Sequence, residues 1–123
     1  MADFSPAADA PSLLGRALYS GILAYMAIDG FRNNEKRVDI ARSKGVPLPE
    51  LAVPFVTAML LVANLGILFW RFPRASAGAL VVFFLGTSPA IHDFWNLEGK
   101  ERHENKINFL KNMALLGGAF ILL

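Results

Sequence analysis

The chain has 123 residues, which is enough for one domain of ordinary size but not for two. Apolar residues make up 54% of it and charged residues only 18%, whereas about a quarter of a typical soluble protein is charged. A formal net charge of +2 excludes an extended nucleic-acid-binding surface, and the lack of cysteine excludes disulfides and thiol chemistry in this polypeptide. We therefore expect an all-α integral membrane protein without a nucleic-acid partner.

The chain is organised as a short tail followed by a membrane domain. Residues 1–12 are small, acidic and proline-containing, and they lack the basic start and cleavage signal of a secretory peptide, so we interpret them as a flexible tail. A bilayer core about 30 Å thick needs roughly 17–25 mostly apolar residues per helix. Residues 13–123 supply four candidate segments and predict a four-helix transmembrane bundle. The predicted spans are residues 13–28, 51–70, 75–91 and 107–123.

The first segment contains a charge close to its start. Ser12 is a suitable N-cap, and the pair Asp29-Gly30 is a suitable stop. Arg16 lies one turn inside the segment, where its side chain either extends to the lipid headgroups or acts as a functional charge within the membrane. We favour the first interpretation, because a long basic side chain near a helix end reaches the headgroups easily.

Segments two and three are predicted to form an antiparallel hairpin. Residues 51–70 contain no charged side chain and end in the aromatic pair Phe69-Trp70, which is typical of a membrane interface. Only residues 71–74 separate the two segments, so the helices must lie side by side. Asn64 lies within segment two, and since an unpartnered amide in hydrocarbon costs several kcal/mol, we expect it to face another helix or a polar cavity.

Segments one and three are short for a membrane span. A hairpin of two membrane helices with two further helices at the surface is therefore an alternative to the bundle. Neither short segment has the broad charged face of a surface helix, and small residues recur four positions apart, as in closely packed membrane helices. These pairs are Ala17 with Gly21, Ala75 with Ala79, and Ala114 with Gly118. The pattern favours the four-helix bundle.

Lysines and arginines are unevenly divided between the two ends of the predicted bundle. Eight of them lie in the loops 29–50 and 92–106, whereas Arg16, Arg71 and Arg74 lie at the opposite end. Basic residues favour the cytoplasmic side of a membrane. We therefore expect a multi-pass protein of the cell membrane, with both long loops in the cytoplasm and both termini outside.

Loop 29–50 is the first candidate site. It contains a weakly amphipathic stretch whose basic residues either bind anionic lipid headgroups, at about 1 kcal/mol each, or only fix the orientation of the protein. These residues are Arg32, Lys36, Arg37, Arg42 and Lys44. Membrane lipids are thus the first expected partners.

The second candidate site lies where segment three ends and segment four begins. Its residues are His92, Asp93, Trp95, Lys111 and Asn112. A histidine beside a carboxylate can relay a proton, and with a tryptophan and a lysine at the mouth of a bundle it can bind a quinone-like ring. The alternative is structural, with Trp95 as an interfacial anchor and both histidines, His92 and His103, at the surface.

Signals for other chemistry are absent from the sequence. The spacing of the two histidines matches no metal site, and the chain contains no phosphate-binding loop, dinucleotide-binding glycine pattern or nucleophile motif. We therefore expect no metal, and no catalysis by this chain on its own.

Three stretches of the sequence resemble the DoxX family of small four-helix membrane proteins. They are Leu14-Gly15-Arg16, Gly45-Val46-Pro47 and the ending HDFWNLEGKERHENKINFLKNMALLGG, in which HDFW and FLKN are the most specific parts. The likeness covers nearly the whole chain after the tail. Because relatives in that family are associated with a terminal oxidase and with thiosulfate:quinone oxidoreductase, the resemblance implies a membrane subunit beside a redox partner, with Arg16 among its motif positions.

The sequence leaves three functions open. The leading hypothesis is an accessory subunit of a membrane redox or respiratory assembly, close to a quinone and docked on other membrane subunits through its small residues. The second is a purely structural subunit of a larger membrane complex. The third is a protein acting alone or as a homo-oligomer that binds or carries a lipophilic small molecule. The redox role predicts a ring-shaped ligand near His92 and Trp95, and the carrier predicts a polar cavity that reaches Asn64.

Overall fold

The computed structural model of this chain describes residues 10–123, and every regular element in that part is helical. Helix α1 consists of Leu13–Arg16, a π-helical turn at Ala17–Gly21 and Ile22–Arg32; α2 is Asn34–Ser43, α3 is Pro49–Leu68, α4 is Pro73–Ile91 and α5 is Gly99–Leu122. A 3-10 turn at Phe94–Asn96 lies between α4 and α5. The predicted all-α class is confirmed for these residues, and most of the predicted tail lies outside them.

Helix α1 begins where it is predicted and ends later. The hydroxyl of Ser12 accepts a hydrogen bond of 3.0 Å from the backbone N–H three residues on, which confirms this residue as the N-cap. The predicted stop at Asp29-Gly30 is wrong, because the helix continues to Arg32. The backbone and side-chain amides of Asn33 both donate to the Asp29 carbonyl, so the last turn closes beyond the glycine.

Helices α3 and α4 form the predicted antiparallel hairpin. Each begins with a proline, Pro49 or Pro73, which suits the first turn because its missing N–H would have no partner there. The residue before each proline, Leu48 or Phe72, has a left-handed φ of 46° or 50° and turns the chain sharply into the helix. Both helices therefore start two residues before the predicted segments.

Helix α3 lies against most of the other elements. It packs on α1, α2 and α4, and α5 packs along α4. The rings of Phe83 and Phe84 meet edge to face, with centroids 5.2 Å apart. The buried apolar core lies where these helices meet. Its members are Leu23, Ala27, Leu60, Ala63, Ile67, Ala77, Leu80, Phe83, Phe84, Leu116 and Ala119.

The outward faces of the helices are apolar. Leu18, Phe55 and Val82 are 60%, 69% and 63% exposed. Two helical stretches, Pro49–Leu68 and Pro73–Asn96, are long and apolar enough to cross a bilayer, and only 33% and 22% of their apolar windows are buried inside the protein. The core helix of a soluble protein would be mostly buried, so these exposed faces favour contact with lipid.

Helix α5 starts at Gly99, upstream of the predicted fourth segment. Its first turns are charged and include the pair Lys100 and Glu104, four residues apart, with N and O atoms separated by 3.8 Å. Such pairs support a helix in water. The apolar part of α5, residues 107–122, coincides with the predicted segment, so the helix extends out of the apolar region at its N-terminal side.

Candidate ligand cavity at the basic end

The helices form two different ends. The hairpin end contains residues 69–72, and the basic end contains α2 and residues 92–106. At the basic end the Nζ atom of Lys44 lies 2.7 Å from Oδ1 of Asp93, and both side chains are 18% exposed. This ion pair places the two long predicted loops at the same end of the protein.

A cavity of about 710 Å³ opens between the helices towards the basic end. All five helices contribute to its wall, which is mostly apolar. Its volume falls within the roughly 300–1,000 Å³ typical of pockets that hold small molecules. The polar residues of the wall are Asp29, Asn33, Arg37, Thr87, His92 and Asn112. The arrangement of a large apolar wall with a few polar groups suits a molecule that is itself mostly apolar.

Arg37 brings a guanidinium group to this cavity. Its Nη1 donates a hydrogen bond of 2.9 Å to Oγ1 of Thr57, which in turn donates to the Val53 carbonyl at 2.8 Å. Within residues 10–123, no carboxylate lies at ion-pair distance from this guanidinium. Burial lowers the pKa of Arg37 from its ordinary value, but an arginine remains protonated at physiological pH. Arg37 therefore brings a positive charge to a wall that also contains the carboxylate of Asp29.

Gly30 makes room for this guanidinium. The residue is buried in α1, and a Cβ atom built on it would lie only 2.0 Å from Nη1 of Arg37. Any side chain at this position would displace the guanidinium from Thr57. Three elements thus fix its place: α2 carries the arginine, α1 leaves the space and α3 supplies the hydroxyl.

His92 lies at the C-cap of α4 and lines the same cavity. Its Nδ1 is 2.9 Å from Oδ1 of Asn105, whose Nδ2 donates to the Glu101 carbonyl at 2.9 Å. Because that amide nitrogen is already bonded, the amide oxygen faces the ring, and Nδ1 carries the proton of the neutral imidazole. Nε2 is then the ring atom available to a ligand. Asn112 of α5 also lines the cavity, so the structure brings two of the predicted site residues together.

Asp93 has different partners from its neighbour His92. Its carboxylate binds Lys44 and also accepts a hydrogen bond of 3.2 Å from Nδ2 of Asn96. These bonds tie the end of α2 to the connection between α4 and α5. His92 and Asp93 were predicted to relay a proton together, but in the structure their side chains bind separate groups.

Trp95 and Lys111 lie outside the cavity wall. The indole of Trp95 is 51% exposed and packs edge to face on Phe94 and Phe109, with ring centroids 5.3 and 5.8 Å apart. Lys111 is exposed on α5. The predicted group is thus divided, with His92 and Asn112 at the cavity and the other members beside it.

The two polar residues predicted inside the membrane both donate hydrogen bonds to backbone carbonyls. Arg16 donates from Nη1 to the carbonyl of Leu68 at the end of α3, and from Nε to the Pro11 carbonyl at 3.1 Å. A cation at this position stabilises the negative end of the helix. Asn64 is fully buried, and its Nδ2 donates to the Leu60 carbonyl at 2.7 Å, while its Oδ1 has no partner among the described residues. Asn64 does not line the cavity.

The basic residues of loop 29–50 have different surroundings. Four are exposed or paired with a carboxylate, and these are Arg32, Lys36, Arg42 and Lys44. Arg37 alone among the five lines the cavity. Sequence reasoning did not distinguish it, because the space beside Gly30 and the hydroxyl of Thr57 depend on how three helices pack and leave no local signal.

A comparison with known proteins shows that the chain is similar in sequence to a membrane protein. Over 121 residues, which are 98% of this chain and 86% of the relative, the sequence is 30% identical to a protein of Escherichia coli (strain K12) named inner membrane protein YphA. No family model matches the chain. No solved structure matches it either.

Proposed function

This chain belongs to the family of the inner membrane protein YphA. We propose that it is a multi-pass membrane protein that binds a lipophilic small molecule in the cavity at its basic end. The observation that carries the proposal is the cavity itself. It combines a large apolar wall with a few polar groups, and it lies among helices whose outer faces are suited to lipid.

In this proposal α1, α3, α4 and α5 all cross the bilayer, as in DoxX-like proteins. Support comes from the apolar outer faces of these helices and from the position of most of their charged residues near the helix ends, with Arg16 and Lys111 as the two basic residues inside the apolar segments. The basic end lies in the cytoplasm, because it carries most of the lysines and arginines.

The orientation can be tested with single cysteines, since the chain has none of its own. Phe72→Cys reports the hairpin end and His103→Cys reports the basic end. A membrane-impermeant maleimide applied to intact cells should label the first variant, and it should label the second only after the membrane is opened. Labelling of His103→Cys in intact cells would contradict the orientation, and equal protection of both would contradict the crossing.

The cavity is accessible from the lipid side. Phe55 and Val82 line it and are also 69% and 63% exposed, so they form part of its rim. A lipophilic molecule dissolved in the bilayer can enter sideways between the helices without passing through water. Because the cavity wall does not include Asn64, the geometry supports binding better than a polar route through the protein.

Gly86 and Gly78 offer a matched test of binding. A Cβ atom at either glycine of α4 meets no atom within 4 Å, but only Gly86 lines the cavity. Gly86→Phe should fill part of the cavity, whereas Gly78→Phe should not. The probe is a long-chain alcohol that carries a photoreactive diazirine, applied to the protein in a neutral detergent.

Wild-type protein and Gly78→Phe should be labelled at cavity residues, and an excess of unlabelled alcohol should suppress the labelling. Gly86→Phe should lose most of this saturable labelling while its thermal unfolding stays close to that of the control. Equal saturable labelling of all three proteins would contradict the proposal.

A redox accessory role, with a quinone as the ligand, is the second candidate. The observation that favours it is that Asn112 and His92 both line the cavity, where the amide of Asn112 can donate a hydrogen bond to a quinone carbonyl and the unprotonated Nε2 of His92 can accept one from a quinol hydroxyl. Quinone and a stoichiometric redox subunit should then remain with the gently extracted protein. Extraction without either one would favour the stand-alone protein, as a monomer or homo-oligomer.

A further inference from the structure

Arg37 has hydrogen-bonding capacity that the described structure leaves unused. A guanidinium has five N–H donors in a fixed planar fork, and one hydrogen bond from this group, to Thr57, is present in the described structure. The group is half-buried, so water is partly excluded around it. A partly dehydrated cation of this kind binds carboxylate and phosphate strongly, because both can accept two parallel hydrogen bonds from the fork.

We propose, on the basis of the binding function above, that the cavity selects amphiphiles with an anionic carboxylate or phosphate headgroup. Arg37 binds the headgroup at the basic end, and a single apolar chain lies along the wall formed by residues such as Leu23, Met59 and Phe83. The ligand takes the orientation of a lipid in the inner leaflet, with its head at the cytoplasmic surface and its chain in the bilayer.

The packing around Arg37 supports a specific site over a surface contact. Gly30 and Thr57 belong to two different helices, and both hold the guanidinium at the cavity. Lys36, one residue earlier on the same helix, is exposed and is not enclosed between other helices in this way. A charge that served only to attract lipid headgroups would need neither the buried hydroxyl nor the space beside the glycine.

Two further polar residues of the wall affect this selection. Asp29 is negatively charged and opposes an anion, but its Oδ2 accepts a hydrogen bond of 3.3 Å from Nδ2 of Asn33 and its side chain is exposed. Its effect is therefore screened more strongly than that of the half-buried Arg37. Asp29→Asn should strengthen anion binding modestly.

The test uses competition against the photoreactive alcohol. The competitors are oleate, oleoyl lysophosphatidate and oleyl alcohol, which share one chain and differ in the head, and inorganic phosphate, which has no chain. On wild-type protein both anionic lipids should compete at about tenfold lower concentration than oleyl alcohol, as expected for a charge-assisted bidentate contact. The ratio between oleate and lysophosphatidate identifies which head the site prefers.

Arg37→Gln should abolish this tenfold preference, so that both anionic lipids then compete no better than oleyl alcohol does on the same variant. Lys36→Gln is the matched control and should retain the preference. Gly30→Ala keeps the charge but displaces the guanidinium, so it should also lower the preference; it serves as the second variant if Arg37→Gln does not fold.

The outcomes separate the two proposals. If labelling does not respond to Gly86→Phe, the binding function itself fails. Two results would refute only the selection of an anionic headgroup, provided that labelling responds to Gly86→Phe. One is that oleate competes no better than oleyl alcohol. The other is that Arg37→Gln and Gly30→Ala keep the wild-type preference. Equal competition by inorganic phosphate and lysophosphatidate would refute the amphiphile, since the chain would then add nothing.

Discussion

The hairpin end and the basic end are built by the same pair of long helices, α3 and α4, and yet they differ in packing. At the hairpin end Ile67, Ala77 and Leu80 have no exposed surface. Gly66 lies so close to Ser76 that a Cβ atom on the glycine would be 2.0 Å from the serine oxygen. At the basic end the same helices leave a cavity of about 710 Å³.

The difference shows that one end of this small bundle is close-packed while the other leaves room for a ligand. Small residues let the helices approach closely at one end, where dispersion contacts are dense. At the other end the helices are joined by polar contacts, such as Lys44 with Asp93 and His92 with Asn105, which span the gap without filling it. We therefore expect changes at the hairpin end to affect stability most, and changes at the cavity to affect binding.

Truncation of a core side chain should show the largest effect. Ile67→Ala at the close-packed hairpin end should lower the free energy of unfolding by about 2–5 kcal/mol, because it leaves a void that the neighbours cannot fill. Met59→Ala, at a partly buried side chain that borders the existing cavity, should cost less than half as much. Unfolding of both variants can be followed by circular dichroism in mixed micelles, and equal losses would contradict the difference in packing.

Added volume at a helix contact should give the next largest effect. A Cβ atom on Gly118 would lie 2.6 Å from the ring of Tyr19, whereas one on Gly117 meets no atom within 4 Å. Gly118→Ala should therefore destabilise the protein by about 1–3 kcal/mol, as overpacking does in other cores. Gly117→Ala is the control and should be neutral or slightly stabilising. Thermal unfolding of the two variants, measured side by side, tests this prediction, and equal stabilities would contradict it.

The ion pair between Lys44 and Asp93 should have an intermediate effect. It is only 18% exposed on either side, so a double-mutant cycle should give a coupling of about 1–2 kcal/mol, between the values for buried and surface pairs. The exposed pair of Arg42 with Asp39 should couple more weakly, because solvent screens both charges. Similar couplings for both pairs would contradict the expected effect of burial on the first pair.

Arg16 should give the smallest effect on stability. Its guanidinium binds the last carbonyl of α3, and cations near a helix C-terminus contribute about 0.3–1 kcal/mol. Arg16→Gln should lose that amount, whereas Arg74→Gln, at an exposed position of the same end, should lose less. An unchanged stability together with a loss of lipophile binding would instead assign Arg16 a functional charge.

Much of the helical arrangement could be predicted from the sequence, because membrane helices depend on long apolar stretches that are visible locally. The hairpin followed from four intervening residues, and the common end of the two loops followed from the antiparallel hairpin between them. The boundaries of the helices were predicted less accurately than their order. The predicted end of α1 at Gly30 was wrong, because this glycine does not stop the helix but leaves space for the side chain of Arg37.

The candidate site was predicted only in part. His92 and Asn112 stood out as polar residues near a helix end, and both line the cavity. Arg37 appeared as one of five similar basic residues, because its partners Gly30 and Thr57 are brought to it by tertiary packing. A local pattern identifies which residues are polar, but the burial of one charge among several requires the arrangement of three helices.

Native mass spectrometry of the gently extracted protein tests the binding function most directly, with wild type, Gly78→Phe and Gly86→Phe prepared in parallel. We predict that wild type and Gly78→Phe retain a lipophilic molecule of defined mass from the cell membrane, and that Gly86→Phe loses it while remaining folded. Retention of the same molecule by Gly86→Phe, or a ligand-free spectrum for all three proteins, would contradict a binding site in the cavity.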